Sequence, residues 1–137
     1  MGRAHVKSDP SGVEPFPTYL LPNLYRALQE TDGSYDVATI ENMIAEGLVQ
    51  LWARYESFVL TELKVAPTGK KYLHIFLCAG AMPDLDLRGL YPVLEEFARR
   101  EQCCMMTMIG RKGWERTFLT KDEGWTVPYS VYRKELV

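Results

Sequence analysis

The sequence has little histidine and little cysteine. Its 137 residues include two histidines, His5 and His74, and three cysteines. The histidines lie far apart and no Cys-x-x-Cys or His-x-x-x-His spacing occurs, so we expect no metal site. Three cysteines cannot form a disulfide framework, and the adjacent Cys103 and Cys104 point to opposite faces of a predicted strand. We therefore expect reduced, mostly buried thiols, with Cys104 packed rather than nucleophilic.

Long apolar runs and an excess of charge of one sign are also absent. The longest apolar runs, such as residues 75–82, are far shorter than the ~20 residues of a membrane-spanning helix, so we expect no membrane span. The N-terminus has no signal-peptide pattern. The 16 basic and 18 acidic residues give a net charge of −2. Because that balance does not suit a protein that mainly neutralises phosphates, a nucleic-acid role would need a local basic patch.

The length favours one domain with a hydrophobic core. Of the residues, 47% are hydrophobic and 25% are charged, as is typical of globular proteins. Prolines in residues 1–17 prevent a helix or central strand there, so we predict an extended N-terminal arm followed by a single domain over residues 18–137. The arm is either a flexible terminus or, where a partner orders it, a docking segment.

Two helices precede the first strand. Apolar side chains at helical spacing predict a helix over residues 18–31. A second helix is predicted over residues 36–47, with Asp36 as its N-cap and Gly47 at its exit.

A mixed sheet follows these helices. Strands are predicted over residues 48–52, 57–64 and 71–79, antiparallel to one another, with the third apolar on both faces. A long helix then runs to about Arg100, and a strand over residues 105–109 returns parallel to the third. A short basic helix and a last strand over residues 129–136 complete the order α-α-β-β-β-α-β-α-β. This order predicts an α/β (α+β) fold whose central sheet carries helices on both faces.

The order of elements resembles the GNAT superfamily of acyl-CoA N-acyltransferases. The resemblance covers residues 36–136, in which residues 90–103 are similar to the family's long helix and the strand after it. Gly124 and Trp125 lie where the family has a Gly-Phe pair. The resemblance implies a cofactor cleft beside Gly80, between the middle strand and its successor.

In the family, a glycine-rich loop before the long helix holds the cofactor pyrophosphate. The resemblance therefore implies that Gly80, Ala81, Met82 and Leu87 bind the cofactor, which would be acetyl-CoA. The loop departs from the family pattern because no basic residue precedes the glycine and Pro83 removes a backbone donor. The family's tyrosine that serves as the general acid also has no counterpart. The sequence therefore predicts a degenerate acyltransferase site, with no cofactor, or with acetyl-CoA if the site is active.

Residues 110–116 and 131–136 are more narrowly similar to GNAT-like proteins that tailed phages and prophages encode near their virion genes. This resemblance implies a virion-associated or binding component whose partners are other phage proteins. It also implies a location in the cytoplasm of the bacterial host or in the virion. The alternative is an active, acetyl-CoA-dependent N-acetyltransferase.

Glu62 and His74 are the candidate catalytic residues. Glu62 lies on the strand before the longest one, where some GNAT enzymes keep a base that takes a proton from the amine. His74 shares a strand face with Tyr72, Phe76 and Cys78, and it could pair with Glu62 across the hairpin. The alternatives are a solvent-facing glutamate and a histidine that is satisfied in a polar pocket.

One compact cluster combines basic and aromatic side chains. It consists of Arg111, Lys112 and Arg116 with Trp114, and it could bind a phosphate, a 3′-phosphoadenosine-like group or nucleic acid. The alternative is a solvated face that also contacts a partner protein.

Overall fold

The computed structural model describes most of the chain, with several gaps. The described residues are 16–29, 31, 33–80, 83–109, 118–128 and 132–136, and only the backbone is described for residues 83–86. Ala81, Met82, the basic-aromatic cluster and residues 1–15 of the predicted arm lie outside this set.

Two helices come first, as predicted. A 3₁₀ turn, Thr18–Leu20, leads into α1, Leu21–Leu28, and α2 spans Val37–Ala45. The Asp36 carboxylate accepts a hydrogen bond of 2.8 Å from the backbone N–H of Thr39, which confirms the predicted N-cap. Gly47 leaves the helix with φ 77°, a conformation that favours glycine.

The sheet of the described residues is four-stranded and mixed. Its strands follow the order of the chain: β1 (Val49–Arg54), β2 (Ser57–Val65), β3 (Lys71–Ala79) and β4 (Met105–Met108). The first three strands are antiparallel, and β4 is parallel to β3. The crossover between β3 and β4 contains α3 (Pro83–Arg100), and a short helix α4 (Phe118–Asp122) follows β4. The predicted fold class is therefore confirmed.

Helices cover both faces of the sheet. The first core lies under α1 and α2 and includes Leu20, Leu24, Ile40, Phe58 and Leu60. The second core lies under α3 and α4 and includes Trp52, Val59, Ile75, Leu94 and Leu119.

Phe16 belongs to this packed structure. Its side chain is buried in the first core, with its ring centroid 5.4 Å from that of Phe58. Its backbone N–H donates to the carboxylate of Glu41. Phe16, which the sequence predicts to lie in the extended arm, thus belongs to the packed part of the chain.

A β-bulge interrupts β3 at Phe76. In the register with β2, Leu77 lies opposite Leu60 and Ile75 lies opposite Thr61, so Phe76 has no counterpart. Phe76 and Leu77 therefore both pack against the first core, whereas the following Cys78 packs against the second. A bulge shifts the alternation of side chains by one residue. The prediction that Cys78 shares a face with His74 is wrong for this reason.

Two further predictions need correction. Residues 132–136 form no strand, and Tyr132 and Leu136 are 92% and 88% exposed; residues 129–131 of that predicted strand lie outside the described set.

None of the three cysteines forms a disulfide, as expected, but Cys104 is exposed because it precedes the start of β4. Burial raises the pKa of the neighbouring Cys103 thiol, which disfavours its thiolate.

None of the described helices has the length and apolarity needed to cross a membrane.

Candidate functional site

An opening begins where β3 and β4 cease to pair. Their ladder runs from Tyr72 opposite Met105 to Ile75 opposite Met108. The bulge at Phe76 comes directly after the last pair, and a bulge bends its strand. Within the described part of the chain, residues 76–79 have no partner in β4; residues 77–79 pair with β2, and Phe76 is the bulge. Among the described residues, the β4 side of β3 therefore carries no strand pairing next to Gly80, where the resemblance implied a cleft.

Gly80 is required by close packing at the end of β3. A Cβ built on this residue would lie 2.6 Å from the backbone Cα of Ser57. Such a separation is far below a normal carbon–carbon contact of ~3.5–4.0 Å. The glycine therefore allows the end of β3 to approach the start of β2. Close packing therefore accounts for a glycine at this position. The role of Gly80 in binding a cofactor stays a prediction.

The start of α3 offers backbone donors beside this opening. The first N–H groups of a helix have no partner within the helix. Pro83 is the first residue of α3, a position where the missing N–H costs little because it would be unpaired in any case. Leu87 is 1% exposed and packs in the second core. Its side chain therefore faces the sheet, and its role toward a cofactor stays a prediction.

The structure brings the two candidate catalytic residues together. Glu62 on β2 and His74 on β3 are direct partners in the strand register. Direct cross-strand partners project from the same face, which here is the face of the first core. His74 is buried, and its Nδ1 is hydrogen-bonded to Oγ1 of Thr107 on β4 at 2.8 Å. Glu62 and His74 are therefore cross-strand neighbours, while Nδ1 of the ring is hydrogen-bonded to Thr107; a catalytic role for the pair stays a prediction.

The charges around His74 favour its neutral form. Burial lowers the pKa of the imidazole below its ordinary value of 6.5; the Lys64 ammonium lowers it further, and the Glu62 carboxylate opposes both effects. Lys64 Nζ lies 3.3 Å from Glu62 Oε1, so the carboxylate is paired with a cation. A neutral imidazole is a proton acceptor at neutral pH.

Arg54 is a cation that was not among the site residues predicted from the sequence. It ends β1, opposite Ser57, and so lies at the same end of the sheet as Gly80. A Cβ on Gly89 of α3 would come within 2.7 Å of the Arg54 guanidinium, which also lies 5.4 Å from the ring centroid of Tyr55. Nothing in the local sequence indicates this contact, because it depends on how α3 crosses the sheet.

A hollow of about 390 Å³ lies along α3. Its lining includes Tyr91, Pro92, three glutamates and Arg99. At this side, Trp125 Nε1 donates a hydrogen bond of 2.9 Å to the Tyr91 hydroxyl, and Trp125 packs on the second core. Among the described side chains, no group of three or more histidines, cysteines or carboxylates is placed to hold a metal ion.

No protein-family model and no curated protein matches the sequence. Solved structures do match the fold. The ribosomal-protein-alanine N-acetyltransferase of Brucella melitensis is 15% identical, with a TM-score of 0.60 over 86% of this chain and 91% of that one. An acetyltransferase of Trypanosoma brucei is 12% identical, with a TM-score of 0.58 over 90% and 97% of the two chains. An integron cassette protein of Vibrio cholerae is 12% identical, with a TM-score of 0.59 over 98% and 93%. These similarities confirm the predicted GNAT-like fold.

Proposed function

We propose that this protein is an N-acyltransferase that takes an acyl group from an acyl-CoA, such as acetyl-CoA, and passes it to an amine. The observation that carries this proposal is the bulge at Phe76, placed directly after the last β3–β4 pair. It opens the sheet beside the buried imidazole of His74, which lies one pair before the ladder ends. A proton acceptor thereby lies next to the point where β3 and β4 cease to pair.

The residues around the opening suit an acyl-CoA in part. Residues 76–79 have backbone N–H and C=O groups on the β4 side that can hydrogen-bond to the amide groups in the extended arm of an acyl-CoA. The first turn of α3 offers N–H donors for a diphosphate, and Arg54 adds a positive charge at the same end of the sheet. When bound, the acyl-CoA supplies a thioester carbonyl that an amine can attack.

His74 is the proton acceptor in this proposal. As the amine attacks the acyl carbon, the C–N bond forms and the C–S bond breaks. CoA leaves as the thiolate, which takes up a proton from solvent, and the imidazole takes the proton that the amine loses. The depressed pKa of His74 keeps the ring neutral and ready at pH 7. Glu62 is less suited to this step because its carboxylate is paired with Lys64; we assign it the part of a fixed charge beside the imidazole.

A thermal-shift titration with acetyl-CoA tests the proposal. Acetyl-CoA at ~100 times its dissociation constant should stabilise the protein by ~2.7 kcal/mol. ADP serves as the control for binding through the diphosphate alone. Transfer to peptide amines is then followed by release of the free thiol, and His74→Gln should bind acetyl-CoA while losing about 10²–10⁴-fold in rate. Absence of any shift at millimolar acetyl-CoA would overturn the proposal.

The virion-associated role and the phage or prophage origin have no support in these fold relatives. They stay predictions of the resemblance, as does a degenerate site that binds without turnover. Docking of the N-terminal arm and binding of phosphate or nucleic acid by Arg111, Lys112, Trp114 and Arg116 concern residues outside the described set. A protein that is stabilised by acetyl-CoA but transfers no acyl group would favour the degenerate site.

A further inference from the structure

Thr107 connects β4 to the candidate proton acceptor. It lies directly opposite His74 in the parallel β3–β4 ladder, one pair before the last. The neighbouring Met106 and Met108 pack against the second core. Because side chains alternate along a strand, the Thr107 hydroxyl lies on the same face as His74. The imidazole is therefore held between Glu62 on one side and Thr107 on the other.

We propose that Thr107 positions His74 by accepting a hydrogen bond from its Nδ1–H, which leaves Nε2 as the atom that takes the proton of the amine. This inference rests on the proposed function. The 2.8 Å separation of Nδ1 and Oγ1 fits such a bond. A threonine oxygen accepts from Nδ1–H both before and after Nε2 is protonated, so proton transfer requires no rearrangement on this side of the ring.

A hydroxyl and a carboxylate have different effects on a histidine. A carboxylate at Nδ1 stabilises the imidazolium and raises its pKa. A neutral hydroxyl orients the ring without adding that charge, which agrees with the lowered pKa of His74. The two charged groups that act on the ring, Lys64 and Glu62, both come from β2 and are paired with each other. Thr107 thus orients the ring while leaving it neutral at pH 7.

Two matched variants test this role by kinetics. Thr107→Val keeps the shape of the side chain but removes the oxygen, and it should lower kcat about tenfold or more, since an orienting partner acts through the base. The KM for acetyl-CoA should stay within about twofold. Thr107→Ser retains the hydroxyl and should restore most of the rate. Equal kcat values for the valine variant and the natural protein would overturn the inference, even where acetyl-CoA binding and turnover support the proposed function.

The tautomer of His74 provides a test that needs no activity. The chain has two histidines, so ¹⁵N imidazole spectra can be assigned by comparison with His74→Gln. We expect the proton on Nδ1 in the natural protein and in Thr107→Ser, and a mixture of tautomers in Thr107→Val. A proton found on Nε2 in the natural protein would overturn the role of Thr107. Failure of acetyl-CoA to bind would overturn the proposed function instead, so the two failures are distinguishable.

Discussion

The indole N–H of Trp52 donates a hydrogen bond of 2.8 Å to the hydroxyl of Thr61 on the neighbouring strand. The same hydroxyl donates to the side-chain oxygen of Gln50 at 2.9 Å. All three residues are buried. One threonine oxygen therefore satisfies two polar groups between β1 and β2, on the face of the sheet that α3 covers.

Replacing Thr61 should be costly for this reason. Thr61→Val removes both hydrogen bonds and leaves buried polar groups behind, so we expect a loss of about 1–3 kcal/mol in the free energy of unfolding. Thr61→Ser keeps the hydroxyl and should cost less. Urea unfolding measures both values. A loss for Thr61→Ser as large as that for Thr61→Val would contradict a dominant contribution from the two hydrogen bonds.

Gly80 and Gly89 should respond differently to alanine, although a Cβ would be crowded at both. At Gly80 the added carbon would meet the backbone of Ser57 at 2.6 Å, and backbone cannot easily move. At Gly89 it would meet the guanidinium of Arg54, the far end of a flexible side chain. We expect Gly80→Ala to cost about 1–3 kcal/mol. Gly89→Ala should be neutral or stabilise by up to ~1 kcal/mol, because alanine favours a helix.

Thermal unfolding of both variants, with and without acetyl-CoA, checks this prediction. A Gly80→Ala protein as stable as the natural one would show that β3 does not approach Ser57 as closely as described. A large loss for Gly89→Ala would show that Arg54 is held rigidly on α3.

How far the sequence predicts the structure depends on how local each feature is. The Asp36 cap and the Gly47 exit depend on residues within one helix, and the structure confirms both. The sequence does not predict the bulge at Phe76. A bulge interrupts the alternation of apolar and polar residues along a strand, but Ile75 and Leu77 on either side of Phe76 are also apolar, so no alternation is visible there. The bulge allows both Phe76 and Leu77 to pack on the first core.

The candidate site shows the same limit. The pairing of Glu62 with His74 follows from a short hairpin, so the sequence could predict it. The contact of His74 with Thr107 depends on the register of two parallel strands joined through α3, and no local pattern fixes that register. The prediction of a last strand is wrong for residues 132–136. Their apolar and polar residues are typical of a strand, but Tyr132 and Leu136 are exposed and pack against no core.

His74 should make the stability of the fold depend on pH. Its pKa in the folded protein is below the ordinary 6.5, with burial as the largest cause. The unfolded chain therefore binds more protons between the folded pKa and 6.5, and the free energy of unfolding falls as the pH falls through that window. Above 6.5 this contribution is fully present. His74→Gln lacks it, so the stability difference between the natural protein and the variant should shrink as the pH is lowered from 8 to 5. Parallel stability curves over that range, measured by urea unfolding, would contradict the lowered pKa.

The hydrogen bond from Trp125 to Tyr91 should hold the segment after α4 against α3. Burial raises the pKa of the Tyr91 phenol above 10.0, and the bond from Trp125 lowers it in part. Trp125→Phe removes the donor, so the phenol should titrate at a still higher pH, as followed by tyrosinate absorbance. Tyr91→Phe removes the acceptor, and the double variant completes a cycle in which we expect a coupling of about 0.5–1.5 kcal/mol. Because Trp125 also packs on the second core, each single variant loses more than the bond. A coupling near zero would mean that packing alone fixes this segment.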